Sequence, residues 1–587
     1  MIFAFIEILQ HALVQINSNE VRTANGMRNT PRSLDRIILT CPTAMSEFER
    51  KSLADALRQA IVVINRYNQS IDPSSPELKI EVLPEAKSKS GGQKQWFFDE
   101  ATCSQLVFLY GQLCQRYKNS SVKFFEMYGK KREVEGFERQ TINVGTVDIG
   151  AGTTDVMICQ YAYDSQNPSR IKPNPLFWES FNQAGDDMLQ VLVKNVIIEG
   201  DDAILSKILI KKGIGRQQCH RLLYRFFAGD NNMMTFENRM IRRDFNVQVS
   251  IPVIYRFLEL LAQGEHFREL RYEDVFSWVK PSLAVENSFK EVFGFDLQDV
   301  VWTFDRDVVG NYVYRAMDGL IEVLANLFYA YDCDLVLLAG RPTMLSPIRD
   351  CFLKYFSVSP NRLISLGRYR IGEWYPFCNE NGFMNDTKTL VPVGAMIGYL
   401  ASRASGLNEF SVDLSELDKK LRPTTDYFVR MATNSREKCF VTPDVNMGKL
   451  QFNTFPVYIG CKQFDNAIYP PRPFYVLDIN TESMLQRINR REENLSKEYQ
   501  YRMLQQERER LLSHGPFVVT LERDTDMESK ERLSISSFES VEGMQLNRSD
   551  IALTVQSLND PECYWLDSGA FNLNIATNEL KMTNHDE

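Results

Sequence analysis

The sequence contains little histidine and no closely spaced pair of cysteines. Only five histidines occur in 587 residues, and none repeats at the spacing of zinc ligands, so a structural metal site is not expected. The 11 cysteines are scattered, with no CxxC pair. This pattern favours free thiols in a reducing compartment over a disulfide framework, and we therefore expect a cytoplasmic protein.

An excess of basic residues is also lacking. The chain carries 67 Lys and Arg against 76 Asp and Glu, a formal net charge of −9. Contacts with nucleic-acid phosphates need clustered Lys and Arg, so no nucleic-acid partner is expected. The locally basic "IKKGIGRQQCHRLLYRF" (210–226) is explained as a helical surface next to the acidic "EGDD".

The N-terminal segment "MIFAFIEILQHALVQINS" lacks the features of a targeting sequence. It has neither a basic start nor a small-residue cleavage site, both of which a secretory signal needs. Glu7, Gln10 and His11 interrupt its apolar run, which is too short to span a bilayer. The pattern predicts an amphipathic core helix and no transmembrane segment. The helix opens without a capping signal, which suggests that a preceding part is missing.

The length of the chain and its changing pattern predict several domains. A chain of 587 residues is too long for one core. Strands at 34–42 and 78–86 alternate with helices, which predicts an α/β layer with a largely parallel sheet. The pattern is mainly helical from about 186 to 327, and a strand returns at 333–340. Short alternating strands beyond about residue 405 indicate a β-rich domain.

A glycine-rich hairpin carries the strongest chemical signal. In "VDIGAGTTD" (147–155) the glycines allow a ligand to approach the backbone, because no Cβ intervenes. Successive backbone N–H groups and the hydroxyls of Thr153 and Thr154 can donate to phosphate oxygens. Asp148 can hold a hydrated Mg²⁺, and Asp155 can order further waters. An ordinary tight turn, in which Asp caps the turn and Gly supplies a positive φ, explains the same residues.

Four further segments accompany this hairpin in a fixed order. They are "IILTCPTAMSEFERKSLADALRQA" before it, and "NQAGDDML", "AGRPTMLSP" and "VPVGAMIGYL" after it. Together the five segments resemble the actin-like ATPase superfamily, which includes the DnaK-class chaperones, MreB, ParM and FtsA. The hairpin resembles its second phosphate motif, and "AGRPTMLSP" its adenosine motif. The resemblance covers roughly residues 34–403 and implies an α/β fold with ribonuclease H-like lobes and a helical insertion.

The resemblance implies a site for ATP and Mg²⁺. Asp148 would be the Mg²⁺-associated aspartate, and Glu100, in "DEAT", would position the attacking water. Glu100 is equally explained as a carboxylate favoured by the dipole at a helix N-terminus. The implied nucleotide contacts are Gly150, Ala151, Gly152, Thr153, Thr154 and Asp155 at the phosphates, Gly185 and Asp186 on the facing side, and Ala339, Gly340 and Arg341 at the ribose and adenine.

A closer resemblance covers most of the chain. The segments "HALVQINS", "DEATCSQLVFLYGQL", "ESFNQAGDDML" and "LLAGRP" are similar to the bacterial SrfB family of virulence factors. This resemblance includes the β-rich C-terminal part, and it leaves export to a host open. The expected domains are an incomplete first lobe at 1–140, a second lobe at 141–404 with a helical insertion at about 190–330, and a β-rich domain at 405–587 with a charged helix at about 481–513.

Two functions follow from these resemblances. The first is a slow Mg²⁺-dependent ATPase, in which lobe closure acts on an unknown protein partner through the C-terminal domain or on further copies of the chain. The second is a catalytically silent scaffold, because the first phosphate motif of the superfamily has no match before Leu34. A sugar kinase or exopolyphosphatase is a third reading, but no catalytic base can be located for it. The clustered aromatics "FFEMY", "FSWV" and "EWYPF" are predicted to lie in the core.

Overall fold

In the computed structural model, helices account for 48% and strands for 24% of a mixed α/β chain with several sheets. The structure describes residues 1–24, 26–43, 45, 47–84, 98–134, 136–228, 235–384, 386–403, 406–407, 409–415, 417, 425–431, 438–463, 471–491, 497–524, 532–555, 565–571 and 573.

The N-terminal region packs helices against a short parallel sheet. Its elements are α1 (Ile2–Ile16), α2 (Asn19–Ala24), β1 (Arg36–Ile38), α3 (Glu47–Ile71) and β2 (Glu81–Leu83). β1 and β2 pair in parallel. They confirm a strand within each predicted segment, but both are shorter than the predicted 34–42 and 78–86, and residues 85–86 lie outside the described residues. The predicted N-terminal helix is also present and packs on α3. It buries only Leu9, whereas Phe3 is 84% exposed, so α1 contributes little to the core.

Two helices and three long strands follow. They are α4 (Glu100–Tyr110), α5 (Ser121–Tyr128), β4 (Phe137–Ile149), β5 (Thr154–Tyr163) and β6 (Arg170–Phe181), with the short β3 (Lys130–Val134) before β4. β4, β5 and β6 form an antiparallel meander, because short turns between consecutive strands allow only antiparallel pairing. Residues Ala101 to Leu109 of α4 are all buried, so this helix lies at the centre of the fold.

The region after β6 is mainly helical, as predicted. Its elements are α6 (Gly185–Leu192), α7 (Ile204–Lys211), α8 (Arg216–Phe227), α9 (Phe236–Phe245), α10 (Ile251–Gln263), β7 (Phe267–Leu270), α11 (Tyr272–Phe276), α12 (Leu283–Phe293), β8 (Trp302–Asp305) and α13 (Arg306–Ala330). A π-helical segment, Asn246–Ser250, joins α9 to α10. Within the described residues, the resulting continuous helix Glu237–Gln263 is the one that is long and apolar enough to cross a membrane by length and composition. Half of its apolar 18-residue stretch is buried inside the fold. The core helix of a soluble protein can be equally long and apolar.

The central sheet is completed by strands from later in the chain. The remaining elements of this region are β9 (Leu335–Ala339), α14 (Ser346–Tyr355), β10 (Leu363–Ser365), α15 (Leu390–Ala401) and β11 (Ser411–Val412). The strand order is β10-β9-β4-β5-β6-β11, with β3 also paired to β4. β9 is parallel to β4, β10 to β9 and β11 to β6. The sheet is therefore mixed, and the prediction of a largely parallel sheet is wrong for the meander.

The C-terminal part contains two antiparallel sheets, as its alternating pattern predicts. Its elements are β12 (Tyr427–Arg430), β13 (Met447–Phe452), β14 (Val457–Lys462), β15 (Arg472–Ile479), α16 (Thr481–Arg491), α17 (Lys497–Leu512), β16 (Phe517–Arg523), β17 (Leu533–Ser540), β18 (Ile551–Val555) and α18 (Trp565–Ser568). The sheets β12-β14-β15-β18 and β13-β16-β17 share one core. The predicted charged helix corresponds to α16 and α17, while residues 492–496 lie outside the described residues.

The clustered aromatics are only partly in the core. Phe124 and Phe125 are fully buried, and so is Phe276. Trp278, however, is 96% exposed, because it lies in the loop between α11 and α12 while Phe276 ends α11 inside the core. Phe377 is also exposed. The prediction that all three clusters are core is therefore wrong at these two side chains.

Candidate functional site

The glycine-rich hairpin joins β4 to β5 and presents an exposed tip. The Gly150 N–H donates to the Thr153 carbonyl at 2.9 Å and closes the turn. Gly150, Ala151 and Gly152 at the tip are all exposed. Neither glycine has a positive φ, and a Cβ added to Gly152 would meet no atom within 4 Å. The turn itself therefore does not require glycine at position 152.

The residues after the tip are held inside the fold. The Thr154 hydroxyl donates to the Gln183 carbonyl at 2.7 Å, and the Thr153 hydroxyl donates to Asp155 Oδ2 at 3.2 Å. Asp155 is 1% exposed and also accepts from the Thr43 N–H at 2.9 Å and from the Ser180 hydroxyl. Its carboxylate thus connects three parts of the fold.

The start of α6 is attached directly to the hairpin. The Gly185 N–H donates to the Gly150 carbonyl at 3.1 Å, and the Asp186 N–H donates to the Ala151 carbonyl at 2.8 Å. A Cβ on Gly185 would lie 2.9 Å from the Gly150 oxygen, so only glycine permits this approach. Gly150 and Ala151, predicted for the phosphates, thus lie next to Gly185 and Asp186, which were predicted to border the nucleotide from the other lobe.

The end of β9 lies beside the end of β4. Ala339 is the register partner of Asp148. Gly340 has φ +85°, and a Cβ there would lie 2.1 Å from the Ile149 oxygen and 2.9 Å from Asp148 Oδ1. Both its conformation and its surroundings therefore require glycine. The exposed Arg341 side chain pairs with Asp386 at 3.0 Å, an interaction that the sequence did not predict.

Glu100 is the first residue of α4, as the helix-dipole interpretation predicts. Asp99 caps this helix by accepting from the Thr102 N–H at 2.9 Å. The Glu100 N–H donates to the Cys41 carbonyl at 3.0 Å, and this bond ties the start of α4 to the segment that follows β1.

Three carboxyl groups of the site share one low-dielectric environment. Burial, followed by the charges of Asp155, Asp148 and Asp99, raises the pKa of Glu100 to about 8. Burial and the charge of Asp155 raise the pKa of Asp148 to about 7. Burial raises the pKa of Asp155 to about 6, although its hydrogen bonds from Ser180, Thr43 and Thr153 oppose the shift. Every charge that shifts the pKa of Glu100 is negative, so a bound cation would relieve the repulsion.

The comparison with protein families covers nearly the whole chain. A family model described as "Virulence factor SrfB" matches residues 1–572. The chain belongs to the SrfB family. No curated protein matches it.

A magnesium ion would find few protein ligands in this SrfB-family chain. Among the described residues, no group of three or more His, Cys, Asp and Glu side chains is arranged to hold a metal ion. Mg²⁺ commonly binds through one or two carboxylates and completes its shell with water and phosphate. Asp148, at the end of β4 beside the hairpin, fits that role, whereas Asp155 already accepts three hydrogen bonds.

Two residues at this site were not predicted from the SrfB-family sequence. Thr43 bridges Asp155 and the start of α4, but a threonine after a strand gives no signal of such a contact. Tyr255 on α10 is 53% exposed. Partial burial and the charge of Asp186 raise the pKa of Tyr255, and the charge of Arg341 lowers it, so both charges act on its hydroxyl. In sequence it is an aromatic on the polar face of an amphipathic helix.

Proposed function

We propose that this SrfB-family chain binds ATP with Mg²⁺ at the hairpin and hydrolyses it slowly. The exposed tip at Gly150–Gly152 carries the proposal. Neither backbone φ nor packing requires glycine at position 152, and the exposed tip without a Cβ leaves its backbone open to the close approach of a ligand. The N–H groups of Ala151 and Gly152 are the donors that would meet the phosphates.

The carboxyl groups support the cation and catalytic parts of the proposal. Asp148 would hold the hydrated Mg²⁺, which supplies charge neutralisation for the phosphates. Burial and the charge of Asp155 raise the pKa of Glu100 to about 8. Bound Mg²⁺ would relieve the repulsion and favour its carboxylate, which would accept a hydrogen bond from the attacking water. Positioning and charge neutralisation account for most of phosphoryl-transfer catalysis.

The fold supports an actin-like arrangement and a route to a partner. The meander β4–β6 with β9 and β10 added in parallel beside β4 suits a ribonuclease H-like lobe. Arg472 of the C-terminal region is buried, with 9% of its surface exposed. Burial lowers the pKa of Arg472, but Cys461, Glu179 of β6 and Glu49 of α3 together raise it more, so Arg472 lies within electrostatic range of the central sheet. A ligand-dependent movement of β6 would therefore be transmitted to the C-terminal sheets. These sheets would present the surface for a protein partner.

A titration of the full chain with fluorescent ATP, with and without Mg²⁺, tests this function. We expect saturable Mg²⁺-dependent binding that Asp148→Ala abolishes. Absence of binding, or binding that Asp148→Ala leaves unchanged, would overturn the proposal.

Gly152→Ala is expected to weaken ATP binding while leaving stability unchanged. The added methyl group has open space and no positive φ to accommodate, but it would occupy the path of a phosphate. Loss of one charge-assisted hydrogen bond corresponds to roughly tenfold or more in Kd. The matched control is Gly319→Ala, an exposed glycine with no atom within 4 Å of its added Cβ, which should bind ATP like the wild type. Equal Kd values for both variants would contradict a phosphate at the tip.

Tyr255→Ala is expected to weaken binding through the base. The exposed ring, whose hydroxyl is influenced by the charges of Asp186 and Arg341, would offer a stacking face for adenine, and loss of such stacking costs roughly 1–3 kcal/mol. Tyr255→Phe should retain the affinity, and Tyr329→Ala, at a tyrosine that is 82% exposed on α13, serves as a surface control. If triphosphate alone and ATP lose affinity equally in Tyr255→Ala, the ring does not contact the base.

The second candidate function is a catalytically silent scaffold with the same fold. It is favoured by the absence, among the described residues, of a carboxylate or His/Cys cluster suited to a metal, and by the hydrogen bonds that already engage Asp155. ATP binding without phosphate release over many hours, unchanged in Glu100→Gln, would favour this alternative over the ATPase.

A further inference from the structure

Thr43 connects the two sides of the candidate site. It follows β1 and is 1% exposed. Its backbone N–H donates to Asp155 Oδ1 at 2.9 Å. Its hydroxyl donates to Asp99 Oδ1 at 3.2 Å and accepts from the Ala101 N–H at 3.3 Å. One buried residue therefore contacts both the strand that follows the hairpin and the first turn of α4.

Asp155 fixes the other end of this connection. It also accepts from the hydroxyls of Thr153, at the hairpin, and Ser180, at the end of β6. Since these groups are buried or half-buried, breaking any one bond leaves a polar atom without water to replace its partner. The connection from β6 to the start of α4 is therefore held by hydrogen bonds that resist small displacements.

Glu100 lies between the two residues that the Thr43 hydroxyl contacts. Asp99 precedes it and Ala101 follows it, so the hydroxyl restrains the backbone on both sides of Glu100. We propose that Thr43 is a positioning residue that holds Glu100 opposite the hairpin. This inference rests on the proposed function, in which Glu100 orients the attacking water.

Thr43→Val isolates the hydroxyl. Valine keeps the shape and the backbone N–H to Asp155, but it removes the donor to Asp99 and the acceptor for Ala101. Thr43→Ser restores both. Thr520→Val is the matched control. Thr520 is buried like Thr43, and its hydroxyl accepts from the Ser537 hydroxyl at 2.8 Å, but it lies on a strand of the C-terminal sheets.

The first measurement is amide hydrogen exchange of the ligand-free full-length chain. In Thr43→Val, the amides of residues 99–103 should exchange about tenfold faster through local opening, with the rest of α4 unchanged. Thr43→Ser and Thr520→Val should match the wild type in that segment. Unchanged exchange there, or faster exchange spread over the whole chain, would overturn the positioning role.

The second measurement is steady-state ATP hydrolysis with Mg²⁺. Thr43→Val should lower kcat about tenfold or more with KM within about twofold, and Thr43→Ser should restore kcat. An equal loss in kcat/KM through KM alone would contradict the inference. If the wild-type chain binds no ATP, the proposed function fails, and the exchange data alone decide whether Thr43 holds the start of α4.

Discussion

Gly394→Ala is expected to lower the free energy of unfolding by about 3 kcal/mol, the upper end of the usual cost of overpacking. Gly394 lies on α15 where that helix crosses α4. A Cβ there would lie 2.0 Å from the Cys103 carbonyl oxygen and 2.5 Å from the Cys103 carbonyl carbon. Both atoms belong to the backbone of a buried helix, so no side-chain rotation can relieve the clash. The two helices would have to separate.

The measurement is denaturant unfolding of the full-length chain, with the midpoint and the slope compared between variants. Gly319→Ala on α13 is the control, because its added Cβ meets nothing and alanine is favoured over glycine in a helix by about 0.5–1 kcal/mol. The two glycine-to-alanine changes should thus shift the midpoint in opposite directions. A midpoint for Gly394→Ala equal to that of the wild type would mean that α15 and α4 are less closely packed than described.

The same variant links packing to the candidate site. Cys103 lies one turn after Glu100 on α4, so separation of α15 from α4 would move the start of α4 as well. In the fraction of Gly394→Ala that folds, Glu100 would be misplaced relative to Asp148. Hydrolysis should therefore fall further than the loss of folded protein explains.

The sequence predicted those features of the fold whose contacts form within one segment of the chain. The hairpin 147–155 could be placed between two strands because apolar runs flank closely spaced glycines. Its neighbours at Gly185 and Gly340 could be predicted only through the order of motifs, and both glycines do permit a close approach of backbone to backbone. The segment 34–42 was predicted as a buried strand closed by a proline and 78–86 as a second strand, and the structure has shorter strands within them at Arg36–Ile38 and Glu81–Leu83.

The remainder depends on contacts between distant segments. Thr43, Asp155 and Ser180 meet only because β1, β5 and β6 converge, and no local pattern encodes that meeting. The pairing of Arg341 with Asp386 and the position of Tyr255 arise in the same way. Trp278 is an error of another kind. The sequence predicted that its whole aromatic cluster lies in the core, but the structure buries Phe276 and exposes Trp278.

The second large effect is a loss of stability as the pH rises. The pKa values of Glu100, Asp148 and Asp155 are raised to about 8, 7 and 6, chiefly by burial. The folded chain therefore retains protons that the unfolded chain has released. This contribution is fully present below the unfolded pKa values of 3.8 to 4.5 and is lost as the pH rises through 6 to 8. The melting temperature of the ligand-free chain should fall across this window.

Asp148→Asn is expected to remove much of that loss and to abolish Mg²⁺-dependent ATP binding. The neutral amide cannot ionise, and its presence also removes one negative charge that raises the pKa of Glu100. Since one pKa unit corresponds to about 1.4 kcal/mol, the variant should be more stable than the wild type by roughly 2 kcal/mol or more at pH 8 and equal to it near pH 4. Asp350→Asn, at an exposed carboxyl on α14, should leave the pH profile unchanged.

The response to Mg²⁺ distinguishes a cation-binding site from a cluster of carboxyl groups that only destabilises the fold. If Asp148 holds the cation, Mg²⁺ with ATP should raise the melting temperature of the wild type most at pH 8, where the carboxyl groups are ionised and repel one another. Asp148→Asn should gain stability without ligand and lose the response to ligand. A variant that gains stability and still responds to Mg²⁺ and ATP would assign the strain to Asp148 but the cation to another group. A residue that lowers the stability of the free chain but is needed for ligand binding is typical of a functional site.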